Sequence, residues 1–179
     1  MNAFESGARK AVPAVLIYAR AGEKILMIHR NTRGAEVDHH SGRWNGLGGK
    51  LEADESPRQA AMREFLEEAG VQLAPERFEI MGVLQFPNFK PQKNEDWIVW
   101  VLDCELSPSE YTRVKIGGPL AGAEGTLHWV DRDLLLELNL WVGDKHFLPL
   151  IVERRRVFGT LWYEGAEVRS VDIMDGGRV

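Results

Sequence analysis

One stretch limits what this chain can be more than any other: GGKLEADESPRQAAMREFLEEAGV, residues 48–71. Ser56 is placed to cap a helix, Pro57 suits its first position, and Gln59 completes an S-x-x-Q capping box. Gly70 is the expected terminator, because glycine takes the left-handed backbone without steric cost. These signals predict a helix from about Pro57 to Ala69. Wound at about 100° per residue, it gathers Ala61, Met62, Phe65, Leu66 and Ala69 on one arc and Arg63, Glu64, Glu67 and Glu68 on the other. The first arc is expected in the core. The second carries acids in the last turns, where the helix dipole favours cations, and places Glu64 and Glu68 four apart, where like charges repel. A plain solvated face would favour Glu/Lys pairs at that spacing. An arrangement that costs stability points to function. A hard divalent cation would remove the penalty, because Mg²⁺ takes carboxylate oxygens together with water and phosphate oxygens.

The rest of the chain alternates strands with few helices. VPAVLIYA (12–19) and KILMIHR (24–30) flank Ala21-Gly22 and read as a hairpin. Residues 31–43 are polar and read as a loop; its His39-His40 has no further ligand at metal-binding spacing and reads as a loop pair. Strands are expected at 78–86, 97–106 and 125–130, with PNFKPQKNED a loop between the first two. DRDLLLEL reads as a short capped helix, and residues 107–123 as a long Gly/Pro-containing connection. A second helix is expected within 144–158, with Pro149 at its start or at a kink. Glu153-Arg154-Arg155-Arg156 reads as its solvated face, with steering of triphosphates as the alternative role of the basic run. GTLWYEG and EVRSVDI close the chain as a hairpin. Trp97, Trp100 and Trp129 are expected to pack the core or line a pocket. The pattern is α/β, a mixed sheet flanked by helices. With no linker or repeat, residues 1–179 read as a single domain, residues 1–10 being polar and expected to be mobile.

Charge and composition remove several classes. A net charge of −5 argues against bulk nucleic acid as partner, but not against a small phosphorylated ligand, since a metal ion inverts the local charge. No apolar run approaches the roughly 20 residues that span a bilayer, and MNAFESGARK lacks an apolar leader core. Cys104 is the single cysteine. Together these lead to the expectation of a cytoplasmic protein without membrane partners.

Gly49, five residues, Glu55, seven residues, then Arg63-Glu64-Phe65-x-Glu67-Glu68-x-Gly70-Val71 resembles the signature of the Nudix hydrolases. Phe65 stands where an aliphatic residue is more common. The resemblance implies an α/β/α sandwich of Nudix type with a mixed β-sheet, and cleavage of a nucleoside diphosphate linked to another group. It also implies Mg²⁺ as cofactor, with Mn²⁺ the alternative, held by Glu64, Glu67, Glu68 and the carbonyl of Gly48. Arg63 would pair with Glu55, Lys50 would meet substrate phosphate, and Glu124 matches a later-loop carboxylate that serves as ligand or base. Hydrolysis of a phosphoanhydride needs positioning, charge neutralisation and an activated water. One carboxylate not bonded to metal can accept the water's proton. Glu67 and Glu124 are the candidates, and Glu64 stays open beside them.

SGRWNGLGGKLE, EGTLHWV and LWVGDKHFLPLIV extend the resemblance, over roughly residues 12–173, to the MutT/MutX-type branch, the 8-oxo-dGTP diphosphatases that release monophosphate and pyrophosphate in nucleotide pool sanitisation and DNA repair. Asn45, Trp141 and Asp144 match its base-contacting positions. Trp141 offers a stacking surface, Asn45 a donor and an acceptor, Asp144 an acceptor or, protonated, a donor. As structural alternatives, the three suit a turn, a core and a helix cap. Mammalian members carry two aspartates where this chain has Gly143-Asp144, which bears on how sharply it selects 8-oxopurines. Arg30, ending a strand, is a further candidate for substrate contact. The implied partner is a small nucleotide. The rival readings are hydrolysis of another nucleoside diphosphate derivative, such as ADP-ribose or a capped RNA end, and a nucleotide-binding module without catalysis.

Overall fold

The structure, a computed structural model, describes residues 2–30, 42–117, 125–165 and 167–179. Among the described residues eight strands, β1 (Lys10–Ala21), β2 (Lys24–His29), β3 (Trp44–Asn45), β4 (Glu79–Lys90), β5 (Glu95–Glu105), β6 (Thr126–Asp131), β7 (Arg155–Glu164) and β8 (Glu167–Arg178), form one sheet. The helices are α1 (Pro57–Ala69), α2 (Pro108–Arg113) and α3 (Asp144–Val152). The strand order is β3-β2-β1-β5-β4-β7-β8, with β6 on the other edge of β2. β1 runs parallel to β5 and β4 parallel to β7; the remaining pairs are antiparallel, so the sheet is mixed as expected.

Alternation along β1 defines two cores. Ala14, Leu16 and Tyr18 face a cluster closed by Phe147, Leu148 and Ile151 of α3. Val15, Ile17 and Ala19 face a second cluster closed by Ala60, Ala61, Phe65 and Ala69 of α1. Apolar residues on both faces need a cover on both faces, and the result is the α/β/α sandwich.

β1 and β2 are paired only next to their turn, at Arg20–Ile25 and Ala21–Lys24. Beyond that they diverge, and residues 44–51 enter the gap. Trp44 and Asn45 pair with β2, while the Ile17 N–H donates to Leu47 O at 2.7 Å and the Val15 N–H to Gly49 O at 2.8 Å. The fit requires glycine. A Cβ on Gly46 would lie 2.8 Å from Ile17 O, and one on Gly48, at φ 131°, would lie 2.2 Å from Val15 O.

Several expectations change. The buried stripe of α1 is Ala60, Ala61, Phe65 and Ala69, with Met62 half-buried and Leu66 exposed at 43%. The helix is rotated by part of a turn, which Ala60 and Ala61 permit by letting its backbone close on the sheet. PNFK is not loop but the outer end of β4, and the turn is confined to the 3₁₀ residues Pro91–Lys93 and the left-handed Asn94 that caps them. Ser107 and Glu110 make a capping box that opens α2 inside the expected connection; residues 118–123, like His39-His40, lie outside the described residues. DRDLLLEL contributes a 3₁₀ turn, Arg132–Glu137, without a side-chain cap, because the Asp131 carboxylate is taken by Lys24 at 3.0 Å. Pro149 lies inside α3 rather than at its start. Arg155 and Arg156 are the first residues of β7, not a helix face. Arg154 and Arg156 reach Glu79 at 3.7 and 3.8 Å, which ties the start of β7 to β4. Among the described residues no helix is long and apolar enough to cross a membrane.

Candidate active site

The rotation of α1 tips two of its acids inward. Glu64 and Glu68 are half-buried and Glu67 is exposed. The Gly48 N–H donates to Glu68 Oε2 at 2.9 Å, and the Glu64 carboxylate lies so close under Gly49 that a Cβ there would be 2.3 Å from Oε1. The glycines that let the chain pass between β1 and β2 therefore also seat the acids of α1.

Arg63 ties this region together. Its Nε and Nη2 donate to the two oxygens of Glu55 at 2.8 and 2.9 Å, Nη1 to Glu64 Oε1 at 2.8 Å, and Nη2 to Lys50 O at 3.0 Å. Glu67 lies 3.6 Å from Nη1. Such two-pronged contacts are the strong form of an arginine–carboxylate pair. They hold the Glu55 carboxyl below its ordinary range. Burial pushes Glu64 up, with Arg63 opposing and the charges of Glu67 and Glu55 adding to the rise. Among the described residues no three His, Cys, Asp or Glu side chains converge to hold a metal ion. The donor set, three carboxylates beside a glycine carbonyl, nevertheless has the hard-oxygen chemistry that suits a divalent cation. Repulsion from Glu67 on a half-buried Glu64 is a penalty that a cation would relieve. Glu124 lies outside the described residues.

The other half of the site lies on the α3 face. Asp144 opens α3 and is 7% exposed, with Oδ2 buried and without a hydrogen-bond partner among the described residues. Burial pushes its carboxyl up to about 7 against the lowering field of Arg43. The Tyr18 hydroxyl, at the end of the β1 alternation, is likewise buried without a partner, and burial and then Asp144 push it well up. An unmade buried hydrogen bond costs roughly 1–3 kcal/mol, a cost that a ligand reaching both groups would offset. Trp141 is half-buried under the Arg43 guanidinium, whose Cζ stands 4.6 Å from the ring centroid. Arg43 also donates to Leu140 O at 3.0 Å. Trp44 bridges to Leu140, which sets β3 alongside the segment that leads into α3. Phe89 completes the aromatic wall, 5.4 Å from Trp97, 5.3 Å from Tyr163 and 6.4 Å from Trp141. The Gly143 position has a steric cause: a Cβ there would fall 1.9 Å from the Tyr163 hydroxyl.

Lys50 connects the halves. Its carbonyl is held by Arg63, and its Nζ lies 5.4 Å from the centroid of Trp97. The Arg30 N–H donates to Arg43 O at 2.9 Å and its carbonyl accepts from the Gly42 N–H at 2.8 Å. A depression of 370 Å³ lined by Lys24, Leu106, Tyr111 and Asp131 shares no residue with this site. Sequence reading missed Tyr18, Arg43, Phe89 and Tyr163. Tyr18 left a trace, a polar tip in an otherwise apolar alternation; Phe89 was hidden by the loop-like prolines around it.

The site thus joins carboxylate-bearing turns of α1 under a glycine segment with an aromatic cluster around Phe89. The NUDIX domain profile fits residues 7–151. The chain belongs to the Nudix family. Its relatives include the oxidized purine nucleoside triphosphate hydrolase of Danio rerio, 29% identical over 130 residues that cover 72% of this chain and 74% of that protein. The protein of the same description from Mus musculus is 26% identical over 119 residues, 66% of this chain and 69% of that protein. The fold is similar to that of a MutT protein from Bacillus halodurans, with a TM-score of 0.72 and 24% identity over 90% of this chain and 97% of that one. Nudix hydrolases generally use divalent metal ions.

Proposed function

We propose that this Nudix hydrolase is a Mg²⁺-dependent nucleoside triphosphate pyrophosphohydrolase that acts on oxidised purines, chiefly 8-oxo-dGTP. Water adds across the phosphoanhydride, and the products are the nucleoside monophosphate and pyrophosphate. The observation that carries the reading is the buried carboxyl of Asp144, whose Oδ2 has no hydrogen-bond partner among the described residues and whose N–H donates to Trp141 O at 3.1 Å. With its pKa pushed up to about 7, Asp144 can donate to or accept from a purine edge while Trp141 stacks on the base. Asn45 would supply the paired donor and acceptor. The names of the fish and mouse relatives support the same substrate class.

On the phosphate side, Glu64, Glu67 and Glu68 with the Gly48 carbonyl would hold the cation. A bound divalent ion neutralises phosphate charge and lowers the pKa of water. Arg63 and Glu55 fix the glycine segment against α1, so the carboxylates keep one geometry. Lys50 and Arg30 would contact phosphate. The base is Glu67 or Glu124; Glu67 is the more open of the helix acids, its side chain 53% exposed. Steady-state assays over a nucleotide panel with product identification test the reading. Monophosphate plus pyrophosphate, with 8-oxo-dGTP preferred, is the expected result. Turnover of ADP-ribose with none of any triphosphate would overturn it.

A further inference from the structure

The end of the β4–β5 hairpin is built with a precision that the acidic helix does not use. Phe86 pairs with Trp97 and Lys90 with Glu95. Residues 87–89 therefore stand opposite Asp96 alone, an irregular three-against-one bulge that re-aims the side chains after it. Asp96 pins the bulge: its carboxylate accepts from the Asn88 N–H at 2.5 Å and from Arg9 Nε at 2.6 Å. Asn88 takes the left-handed conformation, φ 58°. One result is that Phe89 enters the aromatic wall. The other is that Lys90 lays its Nζ 4.9 Å from the Trp97 centroid, the same ring that Lys50 approaches to 5.4 Å from the glycine segment.

Two ammonium groups from distant parts of the chain thus share one indole. Lys93 and Arg30 add their fields to that of Lys50 at Lys90, and all three oppose its charge, as does its partial burial. Glu95 is the carboxylate that acts on Lys90, but it is buried and accepts from Trp97 Nε1 at 3.1 Å. Cations gathered around an aromatic platform repel one another, and a multiply charged anion relieves that repulsion.

We propose that Lys90 is a second phosphate-binding lysine, which with Lys50 grips the polyphosphate chain of the substrate across Trp97 and so favours nucleoside triphosphates over diphosphate conjugates. This rests on the reading of the site as a nucleotide hydrolase and assigns its phosphate selectivity to the hairpin. Arg9, Asp96 and the Asn88 bulge act through Lys90 as positioning residues.

The test uses the full chain and inorganic tripolyphosphate, titrated calorimetrically without divalent metal, alongside steady-state kinetics. Lys90→Met keeps the aliphatic contact with Trp97 and removes the charge; Lys90→Arg keeps the charge. The expected result is that Lys90→Met weakens tripolyphosphate binding roughly tenfold or more, as the loss of one charge-assisted hydrogen bond implies, and that Lys90→Arg largely restores it. With a triphosphate substrate, Lys90→Met raises KM while kcat changes less than about threefold. Tripolyphosphate binding by Lys90→Met equal to that of the unaltered protein overturns the proposal. A loss shared equally by Lys90→Met and Lys90→Arg, with lowered melting temperature in both, also overturns it by assigning Lys90 a structural role. If the unaltered protein binds tripolyphosphate through Lys90 but turns over no triphosphate, the grip stands and the hydrolase reading falls.

Discussion

The two halves of the site are built on opposite electrostatic terms. Around α1 the charged groups are partnered by the chain itself: Arg63 satisfies Glu55 and Glu64, and Gly48 satisfies Glu68. Around α3 the polar groups are left waiting: Asp144 and Tyr18 are buried with hydroxyl and carboxyl oxygens unpartnered among the described residues. The first half is a scaffold that holds position before anything binds. The second leaves hydrogen-bonding capacity unused among the described residues, and under the proposed function a ligand would take it up; unmet hydrogen bonds discriminate between ligands more sharply than apolar contact does.

The contrast can be broken from either side. The largest effect is expected from Glu68→Gln. The amide still accepts from Gly48, so the melting temperature stays near that of the unaltered protein while kcat falls by roughly 10² or more, the scale on which a single electrostatic group contributes. Turnover near normal in that variant would remove Glu68 from the machinery. Asp144→Asn attacks the other half. The Asp144 carboxyl in the fold sits at about 7, above its value of about 3.9 in an unfolded chain. The folded state therefore binds the proton more tightly. The stability it contributes is complete below about pH 4 and is lost as pH rises through about 7. Chemical denaturation from pH 4 to 8 should show a slope that flattens in Asp144→Asn, with the variant the more stable at pH 8. Discrimination among purine triphosphates, read as kcat/KM ratios, should fall in the same variant.

A smaller effect tests the scaffold alone. Arg63→Ala leaves Glu55 and Glu64 without their partner and is expected to cost about 2 kcal/mol, less than for a fully buried pair because the group is partly open to solvent; urea denaturation reads it. Purine selectivity should be unchanged if the halves are independent. The smallest is Ser56→Ala, which removes the cap at the start of α1 and is expected to cost about 1 kcal/mol without altering the pH slope set by Asp144.

Much of the scaffold half was legible because its causes are local. Ser56 and Gln59 cap each other at 3.3 and 2.9 Å, and Gly70 ends the helix at φ 71°, all within contacts a few residues long. The spacing of Glu55, Arg63 and the helix acids is likewise a local pattern. The binding half was legible only in part. Trp141, Asp144 and Asn45 could be singled out, but Tyr18, Arg43, Phe89 and Lys90 could not, because each acquires its meaning from a neighbour far along the chain. The prolines at 87 and 91 argued for a loop, and they are tolerated in the strand pair because the Asp96-pinned bulge and the following 3₁₀ turn absorb them.

By itself, then, the sequence determined the bounds of α1, its acidic composition and the family that uses such a helix, since capping and spacing are set by contacts within about one helical turn. Only the tertiary structure decided how α1 is rotated. Close packing of Ala60 and Ala61 turns Glu64 and Glu68 towards the glycines and leaves Glu67 outside. It alone also decided that Phe89 meets Trp97 and Trp141, that Arg43 lies over Trp141, and that Asp144 acts on Tyr18 and Arg43 on Asp144. Strand pairing and burial bring those residues together, and desolvation, which no linear pattern encodes, gives Asp144 its chemistry.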